Sequence, residues 1–120
     1  MRWATAAGLD LCCVAVFVVI GRASHDEAAS VTGLATTAWP FLAGLAAGWA
    51  VTRAWRRPAA LIPTGAGVWL SAVAAGMVLR ALSGQGTAVA FVVVALVFLG
   101  VTMLGWRAAV RWRTSAGTPA

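Results

Sequence analysis

Asp10 is the residue of this chain whose type and position most directly suggest chemistry. It interrupts the apolar run that begins at Trp3, and at helical rise it lies on the order of 10 Å along that run. A carboxylate at such depth in hydrocarbon is costly unless it faces protein or water and meets a partner. Two roles fit. It either braces the structure through an ion pair or hydrogen bonds, or it titrates as a proton- or cation-coupling site. Ala6, Cys13, Val14 and Phe17 share its helical face. Thr64 and Thr102 are expected at similar depth on other helices, and Arg2, Arg53 or Arg107 could snorkel toward it from the membrane boundary.

Arg22, Ser24, His25 and Arg80 form a second set, with Asp26 and Glu27 beside it. Paired guanidinium groups can clamp a carboxylate, a phosphate or a lipid headgroup. His25 is the sole histidine, and imidazole is the side chain whose charge changes near neutral pH. The plainer alternative is capping of helix ends with an arginine–acid pair in a loop.

Other chemistries are poorly represented. Cys12 and Cys13 are adjacent, a spacing that strains a disulfide severely, so they read as small reduced packing residues. No Cys-x-x-Cys or Cys/His spacing marks a metal site, and neither a serine–histidine–acid triad nor a phosphate-binding glycine loop is evident. The expectation is a non-enzymatic protein without metal or cofactor. The net charge of +6 would suggest nucleic acid in a soluble protein. Here the arginines gather at the ends of apolar runs, which fits membrane topology and anionic lipid headgroups, and nucleic acid is not an expected partner.

The elements that position these residues come from a chain that is 62% hydrophobic and 10% charged over 120 residues. A soluble domain of this size would need more charge on its surface. Four runs, about 3–21, 31–52, 60–82 and 87–106, each approach the roughly 20 residues that cross a bilayer. The stretch from Val89 to Phe98 does not alternate, which argues against barrel strands. The expected fold is all-α: an integral membrane four-helix bundle over residues 1–112, with short loops, antiparallel neighbours and a flexible tail at 113–120. The first run reads as a retained helix, because Asp10 breaks its core and Gly21-Arg22-Ala23-Ser24-His25 is a poor signal-cleavage context.

Arginine sets the expected orientation. Arg2, Arg53, Arg56, Arg57, Arg107, Arg111 and Arg113 fall on one side of such a bundle, and Arg22 and Arg80 on the other. The positive-inside rule then gives a multi-pass protein of the cytoplasmic membrane with both termini cytoplasmic and anionic headgroups at that face. Trp3, Trp49, Trp55, Trp106 and Trp112 fall near the same boundary, where indole is favoured, whereas Trp39 and Trp69 lie deeper and read as packing residues.

Two local patterns bear on packing. Trp39-Pro40 interrupts the second run, removing one backbone hydrogen bond and freeing the Thr36 carbonyl; a kink is expected, with Thr36 or Thr37 able to satisfy the opened backbone. Gly44-x-x-x-Gly48 and Ala72-x-x-x-Gly76 put small residues on one helical face, which permits close approach. The pattern fits contact within a chain or between chains, so a homo-oligomer or a membrane protein partner is a further expectation.

The strings Gly21-Arg22-Ala23-Ser24-His25, Ala38-Trp39-Pro40-Phe41, Val68-Trp69, Gly76-Met77-Val78-Leu79-Arg80, Gly86-Thr87-Ala88-Val89-Ala90-Phe91 and Gly105-Trp106-Arg107 give the chain a likeness. From about Leu9 to Arg107 it resembles a family of small four-span prokaryotic membrane proteins, domain of unknown function 3054. The resemblance implies a recognised fold unit in the cytoplasmic membrane, with these arginine, histidine and tryptophan motifs as part of its pattern. It carries no activity. The small multidrug-resistance transporters are similar in architecture alone: four helices with an acid in the first. That analogy supplies the alternative function, a small proton-coupled transporter or channel using Asp10. The leading expectation is an interaction, assembly or lipid-binding component.

Overall fold

Apolar runs of membrane length satisfy their own backbone hydrogen bonds as helices, and this chain forms four. The computed structural model describes residues 1–24 and 30–117. In chain order α1 spans Trp3–Ser24, α2 Val31–Thr52, α3 Ala66–Leu82 and α4 Val89–Gly117. Each contributes to a membrane-length apolar segment: Trp3–Ala23, Val31–Thr52, Leu61–Leu82 and Val89–Thr114. The bundle measures 52 × 27 × 25 Å. The start of α1, the α2–α3 connection and the C-terminal half of α4 meet at one end (the Asp10 end). The last turns of α1 and α3, the first turn of α2 and the α3–α4 connection meet at the other (the cleft end).

The small-residue faces are used within the chain. A Cβ added at Gly44 would stand 2.8 Å from the Ala72 carbonyl oxygen, and one at Gly76 would stand 2.8 Å from the Phe41 ring. The backbones of α2 and α3 therefore come close enough that nothing larger than hydrogen fits, which gains dispersion contact where lipid provides no hydrophobic drive. Ser30 caps α2 by accepting the Gly33 N–H at 3.0 Å. The four phenylalanines of the chain then knit three helices together. The Phe17 ring lies 5.2 Å from Phe41, nearly edge-on at 82°, and 5.9 and 5.7 Å from Phe91 and Phe98.

Four boundaries and one placement differ from the sequence reading. Regular helix in the third run begins at Ala66, not at residue 60. Leu61–Gly65 forms one wide turn in which Ile62 is extended (φ −129°, ψ 130°) ahead of a cis Ile62–Pro63 peptide; a proline pushes its predecessor out of the helical region. At the other extreme α4 continues to Gly117, so residues 113–117 extend the helix where a flexible tail from 113 was expected; residues 118–120 lie outside the described residues. Nothing before Gly117 breaks the helix, and the Thr114 hydroxyl donates to the Val110 carbonyl at 2.9 Å. The first helix runs past residue 21 to Ser24, and the fourth starts at Val89 instead of 87. Trp39 is 43% exposed instead of packed. Helical geometry explains this, because Phe41, Gly44, Leu45 and Gly48 form the buried face of α2 and Trp39 projects from the opposite one.

Candidate functional site

The structure gathers its polar chemistry into two clusters, one at each end. At the first, Asp10 and Arg107 are both fully buried and form a two-pronged ion pair. Arg107 Nη1 donates to Asp10 Oδ1 at 2.9 Å and Nη2 donates to Oδ2 at 2.7 Å. Trp49 Nε1 donates to Oδ2 at 2.9 Å, and Trp106 Nε1 to Oδ1 at 3.0 Å. Each carboxylate oxygen thus accepts two bonds. The guanidinium is occupied on its other edge: Nε donates to the Pro58 carbonyl at 2.9 Å and Nη1 also reaches the Met103 carbonyl at 3.2 Å. Four elements are bound through one carboxylate and one guanidinium: α1, α2, α4 and the turn after α2. Of the three arginines that could have reached Asp10, Arg107 is the one that does.

Gly65 makes room for this pair, since a Cβ there would lie 2.9 Å from Arg107 Cδ. Thr64 is buried beside it in the fold, and Thr102 turns its hydroxyl to the Phe98 carbonyl at 2.9 Å. Cys13 is half-buried, and Cys12 lies exposed on the bundle surface. The roles of Trp49 and Trp106 were not foreseen. Read as boundary residues, they are half-buried donors to Asp10. The available signal was chemical: indole donates and cannot accept, so two tryptophans near the depth of a buried acid are natural partners for it.

The cleft end is built differently. Arg22 sits in the last turn of α1 and Arg80 in the last turn of α3, where a cation complements the helix dipole. Arg22 Nη1 donates to the Thr37 hydroxyl at 3.0 Å. Arg80 stacks its guanidinium 4.3 Å above the Phe91 ring. Its Nε donates to the Gly86 carbonyl and its Nη1 to Gln85 Oε1, both at 2.9 Å. Gln85 in turn donates through Nε2 to the Thr36 carbonyl at 3.0 Å. This is the carbonyl that Pro40 frees. A side chain from the α3–α4 connection satisfies it, while the Thr36 hydroxyl bonds Thr32 one turn back at 2.8 Å.

Between these groups opens a cleft of about 610 Å³, well within the range of small-molecule sites. Arg22 and Arg80 line it together with Thr36 and Thr37, and Phe17 and Phe91 supply apolar wall. Polar groups and aromatic surface therefore share one concavity. His25 lies outside the described residues, as does the side chain of Ser24, so of the expected set the structure brings together Arg22 and Arg80. Among the described residues no three His, Cys, Asp or Glu side chains converge as a metal would need.

Four membrane-length apolar helices around a buried ion pair, with a cleft at one end, define a multi-pass helical-bundle membrane protein. The family described as protein of unknown function (DUF3054) matches residues 7–110, and the chain belongs to it. That match includes Asp10, Arg22, Arg80 and Arg107, and so both clusters. No curated protein and no solved structure matches the chain.

Proposed function

We propose that this protein is a non-enzymatic lipid-binding bundle that holds the anionic head of an amphiphile in the cleft between Arg22 and Arg80. One observation carries the reading: two guanidinium groups and an aromatic wall line the same cavity of about 610 Å³. A phosphate or carboxylate head matches the arginines in charge and in hydrogen-bonding geometry. The hydrocarbon adjoining such a head matches Phe17, Phe91 and the surrounding bilayer. By the arginine asymmetry the cleft faces the outside of the cytoplasmic membrane, with both termini inside.

A proton-coupled transporter centred on Asp10 draws less support. A coupling carboxylate must exchange partners, and Asp10 already accepts two bonds on each oxygen from Arg107, Trp49 and Trp106. The geometry favours the bracing role. Oligomer formation would also have to use other surfaces, because Gly44, Gly48, Ala72 and Gly76 are taken up in the α2–α3 contact.

The test is retention of a phosphate-headed lipid against its zwitterionic counterpart of equal chain length, on protein purified in mild detergent. The wild type should enrich the anionic lipid. Arg22→Gln and Arg80→Gln should each weaken that enrichment about tenfold or more, the worth of a hydrogen bond to a charged group. Equal retention by wild type and both variants would remove the proposal.

A further inference from the structure

A second cationic cavity lies at the Asp10 end, and it is independent of the cleft between Arg22 and Arg80. Its volume is about 660 Å³. Arg56 and Arg57 rise from the turn after α2, and Arg111 faces them from α4, with Leu61 and Ile62 supplying apolar lining. All three guanidinium groups are exposed. No carboxylate of the described residues pairs with them: Asp10 is committed to Arg107, and Asp26 and Glu27 belong to the connection after α1.

The walls of this cavity are tied together from beneath. Arg107 lies one helical turn before Arg111 on α4, and its Nε holds the Pro58 carbonyl at 2.9 Å. That bond fixes the turn carrying Arg56 and Arg57 against the helix carrying Arg111. The three cations therefore surround a shaped space instead of waving separately in solvent. Trp55 and Trp112, next in the chain to Arg56 and Arg111, are 51% and 72% exposed, and Ile62 is 81% exposed. Exposed indole and aliphatic side chains beside arginines are the makeup of a bilayer headgroup layer.

We infer that this cavity binds a lipid headgroup carrying two phosphates. Three arginines, paired with no acid of the described residues, exceed the charge of a single phosphodiester, and each guanidinium can take a phosphate in two-pronged fashion. The apolar rim at Leu61 and Ile62 gives the adjoining acyl chains a way back into the bilayer. A lipid bearing two phosphates meets both requirements; a free polyphosphate meets the first alone.

The test uses the full chain in nanodiscs of neutral lipid, doped either with diphosphatidylglycerol or with phosphatidylglycerol at equal total charge. Lipid retained on the protein is counted by native mass spectrometry. The wild type should prefer the two-phosphate lipid. Arg57→Gln/Arg111→Gln should lower its affinity about 25-fold, about fivefold for each surface arginine removed. Arg22→Gln, which lowers retention of either anionic lipid at the other cleft, should leave the preference for diphosphatidylglycerol over phosphatidylglycerol unchanged, which separates the two sites. Arg57→Lys/Arg111→Lys, which keeps charge and loses the forked geometry, should lie between wild type and the glutamine pair. Unaltered retention in the glutamine pair, or wild-type retention that follows charge with no preference between the two lipids, would overturn the inference. So would binding of inorganic pyrophosphate in lipid-free detergent as tightly as the lipid, which would reassign the cavity to a soluble ligand.

Discussion

The Asp10 cluster and the cleft between Arg22 and Arg80 use the same ingredients, guanidinium and aromatic side chains, to opposite ends. At Asp10 the carboxylate is inside the chain, Arg107 meets it on both oxygens, and two indoles complete its hydrogen bonding with neither charged group exposed. At the cleft Arg22 bonds Thr37, Arg80 bonds Gln85 and a backbone carbonyl, and both line a cavity. An ion pair that is closed on itself braces helices. A cation that lines open space can meet an incoming anion, which one enclosed with its own carboxylate cannot. A neighbouring cavity, and not residue type, separates Arg22 and Arg80 from Arg107.

The sharpest way to break this comparison is to unpair the closed cluster. Arg107→Met leaves the Asp10 carboxylate buried with its two-pronged partner gone, and should destabilise the fold by about 3–5 kcal/mol, read from unfolding in mixed micelles. Asp10→Leu/Arg107→Met should recover part of that loss, because an apolar pair replaces a buried ionic one, while the two indole N–H groups and the Pro58 carbonyl lose their partners. Asp10→Asn should also be destabilising, since a carboxamide cannot accept four donors and presents an NH2 group to one of them. A milder break is Trp49→Phe or Trp106→Phe, each removing one hydrogen bond to a charged group at about 1.5–3 kcal/mol. Gly44→Val tests the close α2–α3 contact, and overpacking there should cost about 1–3 kcal/mol. Arg22→Gln should reduce anionic-lipid retention with a smaller loss of stability than Arg107→Met, because Arg22 is half-exposed and Arg107 fully buried. Smallest of all, Gly8→Ala should stay within about 0.5 kcal/mol, because an added Cβ meets nothing within 4 Å.

Much of the architecture was legible because hydrocarbon imposes few choices. Run length and missing alternation specify helices, and the near-identical bounds of the second run follow from Ser30 at one end and the Arg53 cap at the other. Boundaries were missed where tertiary or local covalent effects decide them. Pro63 displaces the start of α3, and continued hydrogen bonding carries α4 past Trp112. The sites divide in the same way. Asp10 was conspicuous because a carboxylate in an apolar run has no other explanation than a partner, and helical depth narrowed that partner to a few arginines. Trp49 and Trp106 were hidden by their own versatility: the same indole suits a membrane boundary and a buried acid. Gln85 was hidden in a Ser-Gly-Gln-Gly turn whose composition speaks of chain reversal, whereas its role depends on Pro40 freeing a carbonyl on another helix. Pairing across helices is a property of the packed structure, and single-chain spacing holds no record of it.

The most direct measurement compares two double variants in one lipid-retention assay: Arg22→Gln/Arg80→Gln and Asp10→Leu/Arg107→Met. The account predicts that the first remains a folded bundle and loses its anionic amphiphile, while the second keeps the amphiphile. Loss of retention in the Asp10→Leu/Arg107→Met protein with retention intact in Arg22→Gln/Arg80→Gln would contradict it, moving the binding role to the closed cluster.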